Sequence, residues 1–247
     1  MRQFGLIGKS LGHSFSKAYF TEKFQREQIS AIYSNFELRQ LVPHFKDLVQ
    51  QTPNLCGLNV TIPYKTEIIP LLDELVGDAE KINAVNTIQF LDGKLIGHNT
   101  DTYGFRQSIK PFLRNVHERA LILGTGGAAK AVAYVLESLG LDVCYLSRGN
   151  SASNVFNYSA ANENMVKAFK LIVNTTPIGT FPNISEQPPF PVHLVSDQHL
   201  VIDLIYNPSE TQFLHIAKQQ GADTLNGLSM LKHQADKAWE IWNEAVL

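Results

Sequence analysis

The chain has 247 residues, enough to bury a substantial core as one large domain or two smaller ones. Its 44% hydrophobic and 18% charged residues are ordinary for a globular protein and argue against a disordered or fibrous one. A formal net charge of -2 gives no electrostatic reason to expect nucleic acid or an anionic membrane as partner.

Only two cysteines occur, Cys56 and Cys144, each within an apolar strand-like run, so a reducing compartment is expected. The chain opens directly on Arg2-Gln3-Phe4-Gly5-Leu6-Ile7-Gly8, without a long apolar leader. No uninterrupted apolar run approaches the ~20 residues that span a bilayer. A soluble, cytoplasmic protein is the expectation.

Phe4 to Gly8 predict a first strand, and the glycines and serines that follow predict a loop. Ser14 or Ser16 suits the N-cap of the next helix, whose inner face carries Phe20 and Phe24 and which ends near Gln28. Hydroxyls at a helix N-terminus favour a carboxylate or phosphate. Pure capping accounts for one serine as well as a ligand does, so the pair leaves both readings open. Residues 31–36 predict a second strand. Leu38, Leu41, Val42, Phe45, Leu48 and Val49 then recur at helical spacing to about Gln50.

Leu55, Leu58, Val60 and Ile62 mark a third strand that ends in polar groups where Pro63 opens a helix, with helical turns through Leu75. The order β-α-β-α-β-α predicts a parallel sheet flanked by helices. Asn59, Thr61 and Lys65 therefore gather near the carboxyl end of a strand, where open α/β sheets hold ligands. A lysine beside apolar neighbours can act as a base; a solvated lysine in a first helical turn is the other reading. Lys81 to Ile88 lead into a strand, Asp92-Gly93 is a two-residue hairpin turn, and the return strand ends in His98-Asn99-Thr100-Asp101. Asn86 and Asp101 bracket this hairpin, either as turn formers or with Asp101 placing a carboxylate beside Lys65.

After a helix carrying Phe105, Ile109 and Phe112, the run from Ala120 to Ala131 reads as strand, glycine turn and helix. Gly124, Gly126 and Ala129 satisfy G-x-G-x-x-G/A, with Gly127 extra, which suits a pyrophosphate at the helix N-terminus. The next strand ends not in an acid but in Ser147-Arg148-Gly149. A guanidinium there, with no carboxylate, favours the 2′-phosphate of NADP over the free ribose of NAD. Leu171 to Thr180 predict a strand opening into a polar turn whose Thr175 suits contact with the cofactor, followed by a proline-rich loop. A strand from Leu200 to Leu204, with Asp203 inside it, precedes Tyr206-Asn207-Pro208 and a helix holding Phe213, Leu214 and Ala217. Beyond Thr224-Leu225-Asn226-Gly227, a C-terminal helix carries Leu228, Leu231, Ala235, Ala238 and Ile241 as its apolar stripe, with Gln234 able to face a cleft. The eight histidines are scattered without paired ligand spacing, so no metal site is expected.

The runs Asn59-Val60-Thr61-Ile62-Pro63-Tyr64-Lys65, Asn83-Ala84-Val85-Asn86-Thr87, Asn99-Thr100-Asp101, Gly124-Thr125-Gly126-Gly127-Ala128 and Gly227-Leu228-Ser229-Met230-Leu231-x-x-Gln234 together resemble the shikimate dehydrogenase family, nearly end to end and in order. The resemblance implies an α/β protein of two domains, a discontinuous α/β substrate domain over residues 1–101 and 226–247 and a Rossmann-type dinucleotide-binding domain over 102–225. It implies interconversion of 3-dehydroshikimate and shikimate with NADP. Ser14 and Ser16 then match hydroxyls for the substrate carboxylate, and Lys65 and Asp101 match the catalytic pair. Asn59, Thr61, Asn86 and Gln234 match groups that hold ring hydroxyls, and Tyr206 matches a tyrosine of the same pocket. Gly124, Thr125, Gly126, Gly127 and Ala128 match the pyrophosphate turn, and Gly227 a glycine near the nicotinamide; Ser147, Arg148, Thr175 and Leu204 complete the expected cofactor set. Lys17, Ser147 and Gly149 stand where the family usually has proline, asparagine and threonine, and the stretch 151–170 is short, with Lys167 its one basic residue before Lys170. Two other readings stand beside this one. One is a quinate/shikimate dehydrogenase with relaxed use of NAD and NADP. The other is a non-catalytic sensor of such ligands, against which the presence of both Lys65 and Asp101 counts. A monomer or homodimer is expected, with a hinge near residues 101–103 and 225–228.

Overall fold

β1 (Arg2–Gly8), α1 (Phe15–Arg26), β2 (Ala31–Glu37), α2 (Leu41–Gln51), β3 (Leu55–Val60) and α3 (Tyr64–Glu67) open the chain. A computed structural model describes residues 1–12, 14–149 and 152–244. β4 (Glu74–Leu75), α4 (Asp78–Ile82), β5 (Thr87–Leu91), β6 (Lys94–His98) and α5 (Asp101–Ile109) follow. Next come β7 (Arg119–Leu123), α6 (Gly127–Ser138), β8 (Asp142–Ser147), β9 (Val155–Asn157), α7 (Glu163–Ala168) and β10 (Leu171–Asn174). β11 (Leu200–Asp203), α8 (Gln212–Gln219), β12 (Asp223–Asn226) and α9 (Leu228–Asn243) complete the described elements. The chain divides into two compact units, Met1–Tyr103 with Gln234–Leu247, and Gly104–His233.

The first unit holds a six-stranded sheet in the order β2-β1-β3-β5-β6-β4. β1, β2 and β3 pair in parallel, as the strand-helix alternation predicts, and the sheet as a whole is mixed because the expected Asp92-Gly93 turn sends β6 back antiparallel to β5, and β5 also runs antiparallel to β3. Alternation along β1 sends Phe4 and Leu6 to one core and Ile7 to the other. The first core gathers Phe20, Phe24, Tyr33 and Trp242; the second gathers Phe45, Leu58, Val60 and Ile88.

Two helical expectations are corrected. Val42 is 60% exposed and its backbone is non-helical (φ -87, ψ 116), because the following Pro43 disfavours the α region for the residue before it. The regular part of α2 therefore starts later than the apolar spacing suggests. Helix does not run through Leu75 either: after α3 there is only a 3-10 turn, Ile69–Leu71, holding Pro70, and then Glu74–Leu75 pair with β6 as a strand.

In the second unit the sheet order is β12-β11-β10-β7-β8-β9, with every neighbouring pair parallel. Its inner strands are apolar on both faces. Ala120, Ile122, Leu171, Val173, Leu200 and Ile202 pack into one core, and Leu121, Leu123, Ile172 and Val201 into the other. The chain reverses its direction of strand addition between β7 and β10, which opens a crevice at the carboxyl ends of those two strands.

Candidate active site

Sheet register collects the first unit's polar residues at one edge. Ile7 pairs with Val60, Asn59 with Thr87, and Thr87 with His98. The carboxyl ends of β1, β3 and β6 thus meet the start of the reversed β5. Ser14, Thr61, Lys65, Asn86 and Asp101, from four separate stretches of sequence, all follow or precede those strand ends, and hydrogen bonds join Lys65, Asn86 and Asp101 directly.

Lys65 Nζ lies 2.6 Å from Asp101 Oδ2, the carboxylate side chain being 8% exposed and the lysine 23%. The other carboxylate oxygen, Oδ1, accepts from Asn86 Nδ2 at 3.0 Å. The same amide nitrogen is 3.0 Å from Thr100 Oγ1 and 3.0 Å from Gln234 Oε1, so two protons face three oxygens. Asn86 Oδ1 receives the Thr100 amide at 2.7 Å and the Thr87 hydroxyl at 3.1 Å. Asn59 donates through Nδ2 to Asn86 O at 3.2 Å and Thr87 Oγ1 at 3.1 Å. The lysine backbone is fixed as well: Lys65 O accepts from Val85 N at 2.7 Å, tying α3 to the segment that carries Asn86. Asn59, Asn86, Thr87, Thr100 and Asp101 are all buried, and each is hydrogen-bonded, as burial of polar groups demands.

Ser14 caps α1, accepting from Lys17 N at 3.2 Å, and Ser16 lies two residues on, in the first turn of the helix. Thr61 is half-buried, its amide donating to Ile7 O at 2.9 Å. The arrangement offers a fixed amine beside hydroxyl and amide groups, a constellation able to orient a polyhydroxylated ligand and move one proton.

The expected cofactor residues lie in the second unit. Gly124 has φ +100, a conformation open to glycine, and a Cβ there would sit 2.9 Å from Thr176 Cγ2. Gly126 is the N-cap of α6 without a side-chain cap, which leaves the first amides of a twelve-residue helix to an anion. A Cβ on Gly126 or Gly127 would meet nothing within 4 Å, so the space over the helix start is open for a pyrophosphate. Thr125 and Ala128 flank this turn, half-buried. Thr175 Oγ1 donates to Leu123 O at 2.7 Å, so Thr175 stands directly beside the glycine turn. Ser147 ends β8, and Arg148 beyond it is exposed, with no acid between Ser147 and Asn157. Gly227 is a close-approach position, since a Cβ would lie 2.0 Å from Leu204 O. Tyr206 belongs to this unit too, half-buried in the turn after β11; burial raises its phenol above the ordinary range.

The model of the shikimate dehydrogenase substrate binding domain matches residues 6–88. A curated NADP(+) shikimate dehydrogenase of Desulforamulus reducens is 37% identical over 262 residues, covering 96% of this chain and 88% of the relative. The chain belongs to the shikimate dehydrogenase family. Among solved family members, the shikimate dehydrogenase of Aquifex aeolicus superposes with a TM-score of 0.88 at 33% identity, covering 100% of this chain and 94% of that one. The Thermus thermophilus enzyme, solved with NADP(H) and shikimate, gives 0.87 at 29% identity, covering 100% and 95%.

Sequence reasoning missed several supporting residues of this family member. Thr87, Thr100 and Asn99 stand beside residues it did single out, and only their burial reveals them as members of the network. Tyr33 and Thr211 carried no signal at all. Thr211 donates at 2.7 Å to Asp203 Oδ2, while Asn174 Nδ2 and Ile205 N reach Asp203 Oδ1 at 3.0 and 3.1 Å. Burial nonetheless pushes this carboxyl up to about 6.

Proposed function

We propose that this chain is an NADP-dependent shikimate dehydrogenase, interconverting 3-dehydroshikimate and shikimate in the route to chorismate and the aromatic amino acids. The Lys65–Asp101 ion pair at 2.6 Å carries the reading. Residues 1–101 and 226–247 bind substrate, and residues 102–225 bind the cofactor. Ser14 and Ser16 hold the substrate carboxylate; Asn59, Thr61, Asn86 and Gln234 hold its ring hydroxyls, and Tyr206 is a further substrate-binding residue. Gly124, Thr125, Gly126, Gly127 and Ala128 cradle the pyrophosphate, Ser147 and Arg148 take the adenosine 2′-phosphate, and Thr175, Leu204 and Gly227 line the rest of the cofactor.

NADP, when bound, accepts or supplies the hydride. In the direction of reduction, Lys65 gives a proton to the carbonyl oxygen as it becomes a hydroxyl, and in oxidation Lys65 takes it back. Asp101 holds the amine in place and balances its charge, and Asn86 keeps Asp101 from turning away. The protein is expected to act in the cytoplasm as a monomer or homodimer, without nucleic acid or membrane partners; no helix among the described residues is long and apolar enough to cross a membrane.

Parallel assays of NADP and NAD reduction, with shikimate and then quinate, test the proposal. Turnover of shikimate with NADP well above the other three combinations is the expected result. Comparable rates with NAD or quinate would make the chain a quinate/shikimate dehydrogenase, and no turnover at all would make it a binding protein.

A further inference from the structure

Asn174 ends β10 and Asp203 ends β11, and the two are register partners across this parallel pair. Both are fully buried, at the carboxyl ends of strands where open α/β sheets hold ligands. A position that needed only packing would be served by an apolar side chain, as Val173 and Ile202 serve one residue earlier. A buried carboxyl instead costs stability unless donors meet it.

The donors tie both loops that leave these strands. Asn174 Nδ2 and Ile205 N reach Asp203 Oδ1 at 3.0 and 3.1 Å, and Thr211 Oγ1 reaches Oδ2 at 2.7 Å. Thr211 is also the N-cap of α8, so its bond closes the segment 204–210 into a loop. On the other side, Asn174 Oδ1 accepts from Thr176 N at 3.0 Å and from Thr176 Oγ1 at 2.7 Å. That holds Thr175 and Thr176 against the glycine turn, where a Cβ on Gly124 would lie 2.9 Å from Thr176 Cγ2. Leu204 N donates to Asn174 O at 3.0 Å and Gly227 N to Ile205 O at 3.0 Å, so the start of the second loop is tied to both neighbours.

We infer that Asp203 is a positioning residue for the nicotinamide half of the cofactor, setting Thr175 and Leu204 through its bonds to Asn174, Ile205 and Thr211. This rests on the proposed NADP site. Sheet order decides which half. The glycine turn follows β7, which lies between β10 and β8; Ser147 and Arg148 lie at the end of β8, while β10 and β11 lie on the other side. A dinucleotide with its pyrophosphate at α6 and its 2′-phosphate at Arg148 extends its other half over β10 and β11. Asp203 itself, being fully buried, acts only through the loops it fixes.

Binding titrations, without turnover, test this. Asp203→Ala is expected to raise the NADP Kd about tenfold, a hydrogen bond's worth. The Kd of adenosine 2′,5′-bisphosphate, which lacks the nicotinamide half, should stay within about twofold of wild type. Asp203→Asn keeps an oxygen for Asn174 and Ile205 and should bind NADP within about threefold of wild type. An unchanged NADP Kd in Asp203→Ala, an equal loss for both ligands, or an equal loss in both variants would overturn the inference. Should Asp203→Ala not fold, Asn174→Ala removes the β10 arm alone and should show the same contrast between the two ligands; no contrast there also overturns it. A wild-type chain that takes NAD instead would fail the NADP reading alone, and NAD against ADP then judges Asp203 in the same way. A wild-type chain that binds neither dinucleotide would end both.

Discussion

Lys65 lies in a helix of four residues, too short to hold a side chain by its own regularity. Its position comes from outside: Val85 N grips its carbonyl, and Asp101, 36 residues further on, grips its amine. That long reach is why the sequence alone left Lys65 open between a base and a solvated surface lysine. Asp101 is likewise open, in sequence, between a turn former and a partner for Lys65, and the fold-back of β5 and β6 beside β3 puts its carboxylate on the lysine. Resemblance to a family named both residues, but their pairing is a product of sheet register. Lys65→Ala is expected to lower kcat by roughly 10²–10⁴, the usual contribution of a positioned acid or base. Shikimate Kd should change by less than about tenfold, because hydroxyl and carboxylate partners remain. Steady-state kinetics with a direct binding titration separates the two. A kcat near wild type would remove Lys65 from proton transfer, and a Kd that collapses with kcat would make it chiefly a binding group.

The start of α5 decides where Asp101 points. Asn99 Oδ1 accepts the Asp101 amide at 3.0 Å and, more weakly, the Thr102 amide at 3.4 Å, while Asn99 Nδ2 donates to Ala84 O at 2.9 Å. One side chain thus serves the first amides of the helix and ties them to the segment before β5 that carries Asn86. Asn99→Ala is expected to destabilise the protein by about 1 kcal/mol, as loss of a helix cap does, and to lower kcat several-fold with little change in NADP KM. Asn99→Asp keeps the acceptor and should recover most of kcat. Urea unfolding and kinetics on the two variants check this; a normal kcat in Asn99→Ala would show that Asp101 is held without its cap. Elements of this kind were legible where one local signal dominated. The Asp92-Gly93 hairpin, the glycine turn before α6 and the apolar β7, β10 and β11 all stand where spacing put them. Legibility failed where a local rule competed with a tertiary one. Pro43 and Pro70 cut helices that apolar spacing favoured, β4 exists only because β6 offers it a partner, and the three-residue β9 has too little pattern to be seen.

For the molecule as a whole, titratable groups other than the Lys65–Asp101 pair, shifted by burial, set how stability follows pH. Burial keeps His98, His117 and His199 below the ordinary histidine range; in His199, Nδ1 accepts from Ser196 N at 2.9 Å and Nε2 faces Val166 O at 3.0 Å, which holds a neutral ring. Below about pH 6.5 the unfolded chain takes up protons that these rings refuse, so their contribution is present above that pH and is lost as pH falls. Asp203 works in the opposite sense. Its carboxyl is raised to about 6 by burial, against the donors Thr211, Ile205 and Asn174. Between about pH 4 and pH 6 the folded state keeps a proton that the unfolded chain has released, so stability falls as pH rises through this window, by about 3 kcal/mol in full. The two effects offset each other, and the wild-type profile should be flatter between pH 4 and 7 than either alone. Asp203→Asn is nearly isosteric, can keep an oxygen toward Asn174 and Ile205, and does not titrate. Its unfolding free energy, followed in urea at pH 4, 5, 6 and 7, should climb relative to wild type by about 3 kcal/mol across that range, leaving the histidine limb exposed. Parallel curves would instead mean that Asp203 ionises in the fold as readily as in the unfolded chain, its three hydrogen-bond donors outweighing the cost of burying its charge.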